Sequence, residues 1–446
     1  MDTGARRSGR LLRDRIDRIS RNDLTTLVSD RGPAPMNIAA VLVVEQGSSI
    51  ERPEVQRALA AAAADVPRLH HRLQPVPLGC GRPYWVDDDV PIERHVAFGR
   101  VDDAHLLTEV AALACRRLPS DRPLWRATWL TGLDDGAAAL VVVAHHVLAD
   151  GLSGLTVLAA LDGGARDRTG DRRLRHPAYA RRALARDAWR ARISDLDTLA
   201  GRVRLASAGA RDLGVDRRIP RLCPRTSFNR PSGPLRRLTL VEAPLPEIVT
   251  AAHRAGATVN DVVLAAVSSA MGQALADRGE RPRELVVSVP YSGRTPGDAG
   301  RLGNETGVVP FRIPLELDRK SRLRAVASLS RAQRGRPRAA SAAPLGAGFR
   351  ALARLGALQW FVDHQRLVNT FVTNVRGPTQ PWRFCGHTVS RVVPVAVTPG
   401  NVGVTFDVLS YAGTLGITVV SDPDVVADPG SLASHLEGEL AALTGL

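Results

Sequence analysis

The segment His145-His146-Val147-Leu148-Ala149-Asp150-Gly151 sets two adjacent imidazoles just ahead of an Asp-Gly pair. An imidazole titrates near neutral pH, so it can take a proton from a hydroxyl or an amine as a general base. The pair follows an apolar run, 137–144, that reads as a strand, and it precedes 151–161, which reads as a helix. Neighbouring side chains at a strand end point in opposite directions, so one ring can face a pocket while the other packs into the scaffold. Asp150 can orient the loop through a buried ion pair, and Gly151 permits the tight turn into the helix. A metal would need a third ligand, and neither HExxH nor a carboxylate at helical spacing accompanies the pair. The chain supplies its own control in His70-His71, which is followed by Arg-Leu-Gln-Pro-Val with no Asp-Gly. That second pair reads as surface or packing histidines.

The elements that must position this segment alternate between strand and helix. Strands are predicted over 36–45, 124–131 and 137–144, with helices over 54–65, 104–117 and 151–161 and an extended stretch over 68–76. The run 137–144 is apolar on consecutive positions, which predicts a strand buried on both faces. Residues 166–237 carry twenty Arg and seven Asp. They read as a crossover containing a helix over 178–193 and a loop over 206–234. A second series follows: strand 235–241, helices 246–255 and 259–278, strands 285–290, 306–313, 370–374, 403–410 and 414–420, and a last helix over 429–443. The alternation indicates an α/β architecture in two lobes. The expected division is 1–165 for the first lobe, 166–234 for the Arg-rich crossover and 235–446 for the second lobe.

Length and composition agree with this. At about 100–200 residues per domain, 446 residues make two or three domains or one two-lobed unit. No apolar run reaches the roughly 18–20 residues of a spanning helix, and the polar, basic start predicts no secretory signal. Cys80, Cys115, Cys223 and Cys385 are far apart with no CxxC spacing, which fits a reducing cytoplasm and no disulfide framework. The net charge is +15, and Lys320 is the sole Lys. Aromatics are 4% and no nucleic-acid-binding signature is present, so nucleic acid is not an expected partner. Anionic lipid or phosphate-bearing small molecules suit the charge better. Residues 1–21, with seven Arg and with Leu11, Leu12, Ile16 and Ile19 at near-helical spacing, read as a basic amphipathic helix or a solvated first helix packing one stripe on the body.

HHxxxDG is the active-site motif of the CoA-dependent acyltransferase superfamily. The whole chain resembles one branch of it, the bacterial wax ester synthase/diacylglycerol acyltransferase family. Matches run in order over residues 15–443. They are Pro35-Met36-Asn37-Ile38, Pro123-Leu124-Trp125 followed by Leu130-Thr131-Gly132-Leu133, then His145 to Gly151, and Gly256 to Leu264 with the Asn260-Asp261 pair. Pro290-Tyr291-Ser292-Gly293-Arg294, Gly303-Asn304 and Thr373-Asn374-Val375-Arg376-Gly377-Pro378 complete the series.

The resemblance implies two chloramphenicol-acetyltransferase-like α/β lobes with mixed sheets, joined by the crossover, with the active site between them. It assigns the general base to His146 and a supporting place to His145. It makes Asp150 a structural residue beside Gly151, with Arg294 as a candidate partner. No acyl-enzyme forms, and no GxSxG nucleophile motif is present. Asn260 can donate to the developing oxyanion; equally, Thr258 or Asn260 can cap the following helix. Pro123, Leu124 and Trp125 either start a strand and pack a core or contact substrate. Asp261, Gly303 and Asn304 are further candidates for substrate contact, although the last two also suit a turn.

The implied substrates are fatty acyl-CoA, as co-substrate with no bound cofactor or metal, and diacylglycerol or a long-chain alcohol. Such apolar products imply peripheral attachment at the inner membrane face or at lipid bodies. Arg376 stands where the family commonly has Pro, and Asn37 where it commonly has His. These departures leave open an acyltransferase of specialised metabolism with a non-lipid acceptor. An inactive lipid-binding or scaffold homologue is the reading of another class.

Overall fold

Two six-stranded sheets organise the chain, and each takes most of its strands from one half of the sequence. The computed structural model describes residues 16–88, 90–148, 151–162, 179–197, 222–292, 306–333, 342–396 and 400–445. In chain order the strands are β1 (Asn37–Val44), β2 (His71–Gln74), β3 (Tyr84–Asp87), β4 (Val96–Arg100), β5 (Trp125–Thr131), β6 (Ala138–His145), β7 (Arg237–Pro244), β8 (Glu284–Ser292), β9 (Thr306–Pro314), β10 (Thr370–Arg376), β11 (Arg383–Phe384), β12 (His387–Ala396), β13 (Val404–Tyr411) and β14 (Thr414–Ser421). The helices are α1 (Arg21–Ser29), α2 (Arg52–Asp65), α3 (Asp103–Cys115), α4 (Gly151–Asp162), α5 (Arg181–Asp197), α6 (Leu245–Arg254), α7 (Val259–Ala276), α8 (Arg319–Gln333), α9 (Ala342–Arg354), α10 (Leu358–His364) and α11 (Pro429–Thr444).

The first sheet runs β11-β12-β1-β6-β5-β4 and the second β7-β14-β13-β10-β8-β9. Both are mixed: β4 lies parallel to β5, and β10 lies parallel to both β8 and β13. In the first sheet β6 sits between β1 and β5, and Leu140, Val141 and Val143 are almost wholly buried. Their alternating directions feed two cores. Leu140 joins Val55 and Leu59 of α2, while Val141 and Val143 join Leu106 and Val110 of α3. Each such side chain stabilises the fold by about 1.5–3 kcal/mol relative to exposure. The second core also takes in Leu238 of β7 and Val420 of β14, so the lobes share apolar packing.

The second sheet lays one face on α7, whose residues Val262 to Met271 are all buried. This 18-residue helix is long and apolar enough by composition to cross a membrane, which the sequence reading did not expect of any segment. Here it is the central core helix of its lobe.

Three sequence expectations differ from the structure. The division at 235 is not contiguous, because β11 and β12 leave the second half and pair into the first sheet, β12 antiparallel to β1. Residues 16–20 are extended, not helical: Ile19 N–H donates to Pro83 O at 3.0 Å and Trp85 N–H to Asp17 O at 2.8 Å. The Arg18 guanidinium explains this, since it ties the segment to Asp187 (2.6 Å) and to the Leu184 carbonyl (2.9 Å) of α5. The helical reading of 1–15 lies outside the described residues. Finally, the stretch 68–76 opens with a 3₁₀ turn over Pro67–His70 before β2 begins.

Candidate active site

The histidine pair sits where β6 leaves the middle of the first sheet. Backbone bonds hold it on both sides. His145 N–H donates to Leu124 O at 2.9 Å, and His146 N–H donates to Met36 O at 2.8 Å. A turn then forms as Leu148 N–H reaches back to His145 O at 2.8 Å, and α4 starts at Gly151. Asp150 lies outside the described residues.

The His145 ring is 5% exposed and is used up by the scaffold. Its Nδ1 accepts the backbone N–H of Val147 at 3.1 Å. A backbone N–H can only donate, so the ring proton sits on Nε2, which donates to Asp30 Oδ2 at 3.2 Å. Asp30 directly follows α1 and also accepts the Met36 N–H at 3.1 Å and Arg117 Nη1 at 3.0 Å. Burial alone would push the Asp30 carboxyl up. The hydrogen bond from His145, with the Met36 N–H and the nearby Arg117 guanidinium, outweighs burial and holds it below the usual carboxylate range. His146 is half-buried and follows directly in the turn after β6.

Around this pair, the residues that the sequence singled out prove to be bracing. Asn37, the register partner of His145, donates through Nδ2 to the carbonyls of Ala114 (2.8 Å) and Arg116 (3.0 Å). It therefore closes the C-terminal end of α3, which accounts for an amide at this position. Pro123, Leu124 and Trp125 are buried. The Trp125 indole N–H donates to Leu69 O at 2.8 Å and its ring stacks on His95 at 4.4 Å. Of the two alternatives for these residues the structure shows the packing one: their side chains fill the core, and the Leu124 carbonyl accepts the His145 N–H.

The second lobe contributes the start of α7. Thr258 and Asp261 form a reciprocal capping box, with Thr258 N–H on Asp261 Oδ2 at 2.8 Å and Asp261 N–H on Thr258 Oγ1 at 3.3 Å. The other Asp261 oxygen accepts the Ser330 hydroxyl, and the residue is 1% exposed. Asp261 is thus corrected from a substrate contact to a helix cap. Asn260 is not the cap. Its Oδ1 accepts Asn374 Nδ2 at 3.2 Å, which leaves the Asn260 amide N–H₂ as a donor.

Asn374 comes from β10, whose continuation passes close over β13. A Cβ at Gly377 would lie 2.5 Å from the Ser410 carbonyl oxygen, so only glycine fits there. Contacts between α4 and β10 join the two half-sites, and Val375, Leu409 and Tyr411 pack into the first-lobe core. Arg294, Gly303 and Asn304 lie outside the described residues.

Sequence reasoning missed Asp30 and the role of Asn374. The second stood inside a quoted motif, whereas a lone Asp in a loop carries no local signal. Among the described residues, no cluster of three His, Cys, Asp or Glu could hold a metal ion. A cavity of about 470 Å³ bounded by Glu51, Arg52, Phe98, Trp129 and Thr131 is not a site for this base. Thr131 pairs with Ala138, at the far end of β6 from His145 and roughly 23 Å away along the strand.

The architecture recurs in solved structures. The wax ester synthase/diacylglycerol acyltransferase from Marinobacter aquaeolei VT8 superposes with a TM-score of 0.68 at 19% identity, covering 97% of this chain and 100% of that one. The first condensation domain of the CDA synthetase gives 0.60 at 16% identity, covering 96% of each chain. The fold is therefore the two-lobed, chloramphenicol-acetyltransferase-like α/β arrangement. The Wax ester synthase/diacylglycerol acyltransferase catalytic domain model matches residues 19–263, and the WS/DGAT C-terminal domain model matches 302–444. A Mycobacterium tuberculosis protein named "Probable diacyglycerol O-acyltransferase tgs1" is 31% identical over 432 residues, which is 92% of this chain and 91% of that protein. The chain belongs to the wax ester synthase/diacylglycerol acyltransferase family.

Proposed function

We propose that this protein transfers a fatty acyl group from acyl-CoA to the hydroxyl of diacylglycerol, giving triacylglycerol, or of a long-chain alcohol, giving a wax ester. His146 takes the hydroxyl proton, and the oxygen attacks the thioester carbonyl. The tetrahedral oxyanion collapses, the C–S bond breaks, and the CoA thiolate leaves with the proton held by His146. The Asn260 amide, oriented by Asn374, donates to the oxyanion.

The observation that carries the reading is the division of labour in the histidine pair. Both ring nitrogens of His145 are engaged by Val147 and Asp30, which fixes the strand end and supports His146, the next residue, as the ring left for substrate. Labelled acyl-CoA offered with diacylglycerol, hexadecanol and a panel of polar acceptors tests it. Labelled triacylglycerol or wax ester is the expected product. Transfer confined to polar acceptors would replace the lipid acceptor, and no transfer at all would overturn the proposal.

Products this apolar must leave into lipid, and α5 offers a surface suited to that. Leu184 and Ala188 pack inward, while Trp189 and Ile193, 62% and 50% exposed, share the opposite face with exposed Arg182 and Arg186. Trp with basic neighbours suits the interface of an anionic membrane or a lipid body. Replacing both Trp189 and Ile193 by Ser is expected to cut binding to phosphatidylglycerol vesicles by roughly tenfold. Binding that is unchanged by this double substitution would remove α5 from the interface.

A further inference from the structure

Asp407 on β13 is 2% exposed, and the acyl-transfer steps above make no use of it. Its two oxygens serve different lobes. Oδ1 accepts the hydroxyl of Thr373 at 2.8 Å. Oδ2 accepts the backbone N–H of Ala396 at 2.7 Å.

Each partner leads to one half of the site. Ala396 ends β12 and is in register with Ile38 of β1, which is in register with Ala144 of β6. The next residue on β6 is His145. On the other side, Thr373 immediately precedes Asn374, and alternation sends their side chains to opposite faces of β10. Thr373 meets Asp407 at the seam between the sheets, and Asn374 meets Asn260 at the start of α7. One carboxyl therefore joins the strand row that ends beside the histidines to the strand that carries the amide pair.

The geometry points to Asp407 as a positioning residue that fixes the histidine half-site relative to the Asn374–Asn260 half-site; this rests on the acyl-transfer reading of those residues. Stability alone does not explain a carboxyl here. Burial drives its pKa up to about 7, even though the Thr373 and Ala396 hydrogen bonds favour the charged form. Its surroundings are neutral: the buried hydroxyls of Thr405 and Thr418 stand on the same face with no partner among the described residues. What the carboxyl supplies is two strong acceptors aimed in different directions.

The test compares Asp407→Val, Thr373→Val and Asp407→Asn in the full chain. It reads kcat, KM for acyl-CoA, and amide hydrogen exchange of the segments 370–376 and 392–396. Both Val variants are expected to lose at least about tenfold in kcat with KM nearly unchanged, and Asp407→Val to exchange faster in both segments together. Asp407→Asn should restore at least half of kcat, because its amide oxygen can take the Ala396 N–H while its N–H₂ donates to Thr373 Oγ1. A purely structural role would lower melting temperatures while kcat of the folded enzyme stayed constant, and that result overturns the proposal. So would faster exchange in one segment only. If Asp407→Val does not fold, Thr373→Val, which removes a single hydrogen bond, decides. If the wild-type chain transfers no acyl group, the functional reading falls, and the exchange data alone decide whether Asp407 couples the two segments.

Discussion

The chain contains two adjacent histidine pairs, and in each of them one ring meets a carboxylate. His71 Nε2 lies 2.9 Å from Asp87 Oδ1, and His145 Nε2 lies 3.2 Å from Asp30 Oδ2. A carboxylate beside an imidazole is therefore no mark of a catalytic centre. The difference lies in what surrounds each pair. His71 begins a two-stranded ribbon, paired only with β3. His145 ends a central strand, with Leu124 and Met36 holding the backbone of the pair from both neighbouring strands and Val147 fixing the ring tautomer. Orientation imposed from several directions is what a general base needs, because misplacement of a reacting group by about 1 Å can cost a hundredfold in rate.

The largest test of this contrast is His146→Ala. Loss of a positioned base is expected to lower kcat by about 10²–10⁴-fold without unfolding the protein. Steady-state transfer of labelled acyl-CoA measures it, and activity within tenfold of wild type would end the assignment. Next comes Asn260→Ala, which removes the proposed oxyanion donor. A fall of about 10²-fold in kcat is expected, with a smaller one for Asn374→Ala, which acts through Asn260. Because Thr258 and Asp261 already cap α7, both variants should keep the wild-type melting temperature. A large drop in melting temperature would show that the amides serve the fold.

Asp30→Asn probes the bracing itself. Removing one partner of this largely buried, charge-assisted bond is expected to destabilise the protein by ~1–3 kcal/mol at pH 7. The sign with pH follows from the depressed carboxyl of Asp30. Its stabilisation is complete above the unfolded pKa of about 3.9 and disappears as pH falls through the lower folded value. Denaturant curves of variant and wild type should therefore differ most at neutral pH and converge in acid. A constant gap across that range would show that Asp30 acts through packing alone.

Much of this arrangement is legible in the sequence, for identifiable reasons. The strands 36–45 and 137–144 and the helix that starts at 259 announce themselves through apolar runs and a Thr-x-x-Asp cap, all local signals. HHxxxDG and Asn260 mark the two half-sites proposed above. Strand β12 does not announce itself, because Pro394 interrupts it. The structure tolerates that proline because β11 pairs only with residues 387 and 388, so β12 has a single ladder neighbour, β1, at Pro394. Its return to the first sheet is a long-range event that no local pattern encodes. The same holds for Asp30 and Asp407, single carboxylates whose partners lie 115 and 34 positions away in the chain.

The smallest expected effect on activity belongs to the control pair. His71→Ala removes the contact with Asp87, whose side chain is 22% exposed beside a His71 ring that is 14% exposed, and loss of a bond at this depth costs about 1–3 kcal/mol. Among the described residues, β2 and β3 form a sheet of their own with no ladder to β6. Acyl transfer by the folded enzyme should stay within twofold of wild type while the melting temperature falls by a few degrees. If His71→Ala lowered kcat as His146→Ala is expected to, the ribbon would have to touch substrate, and the distinction drawn between the two histidine pairs would fail. Measuring both substitutions in one assay, at one acyl-CoA concentration well above KM, separates a loss of chemistry from a loss of folded enzyme.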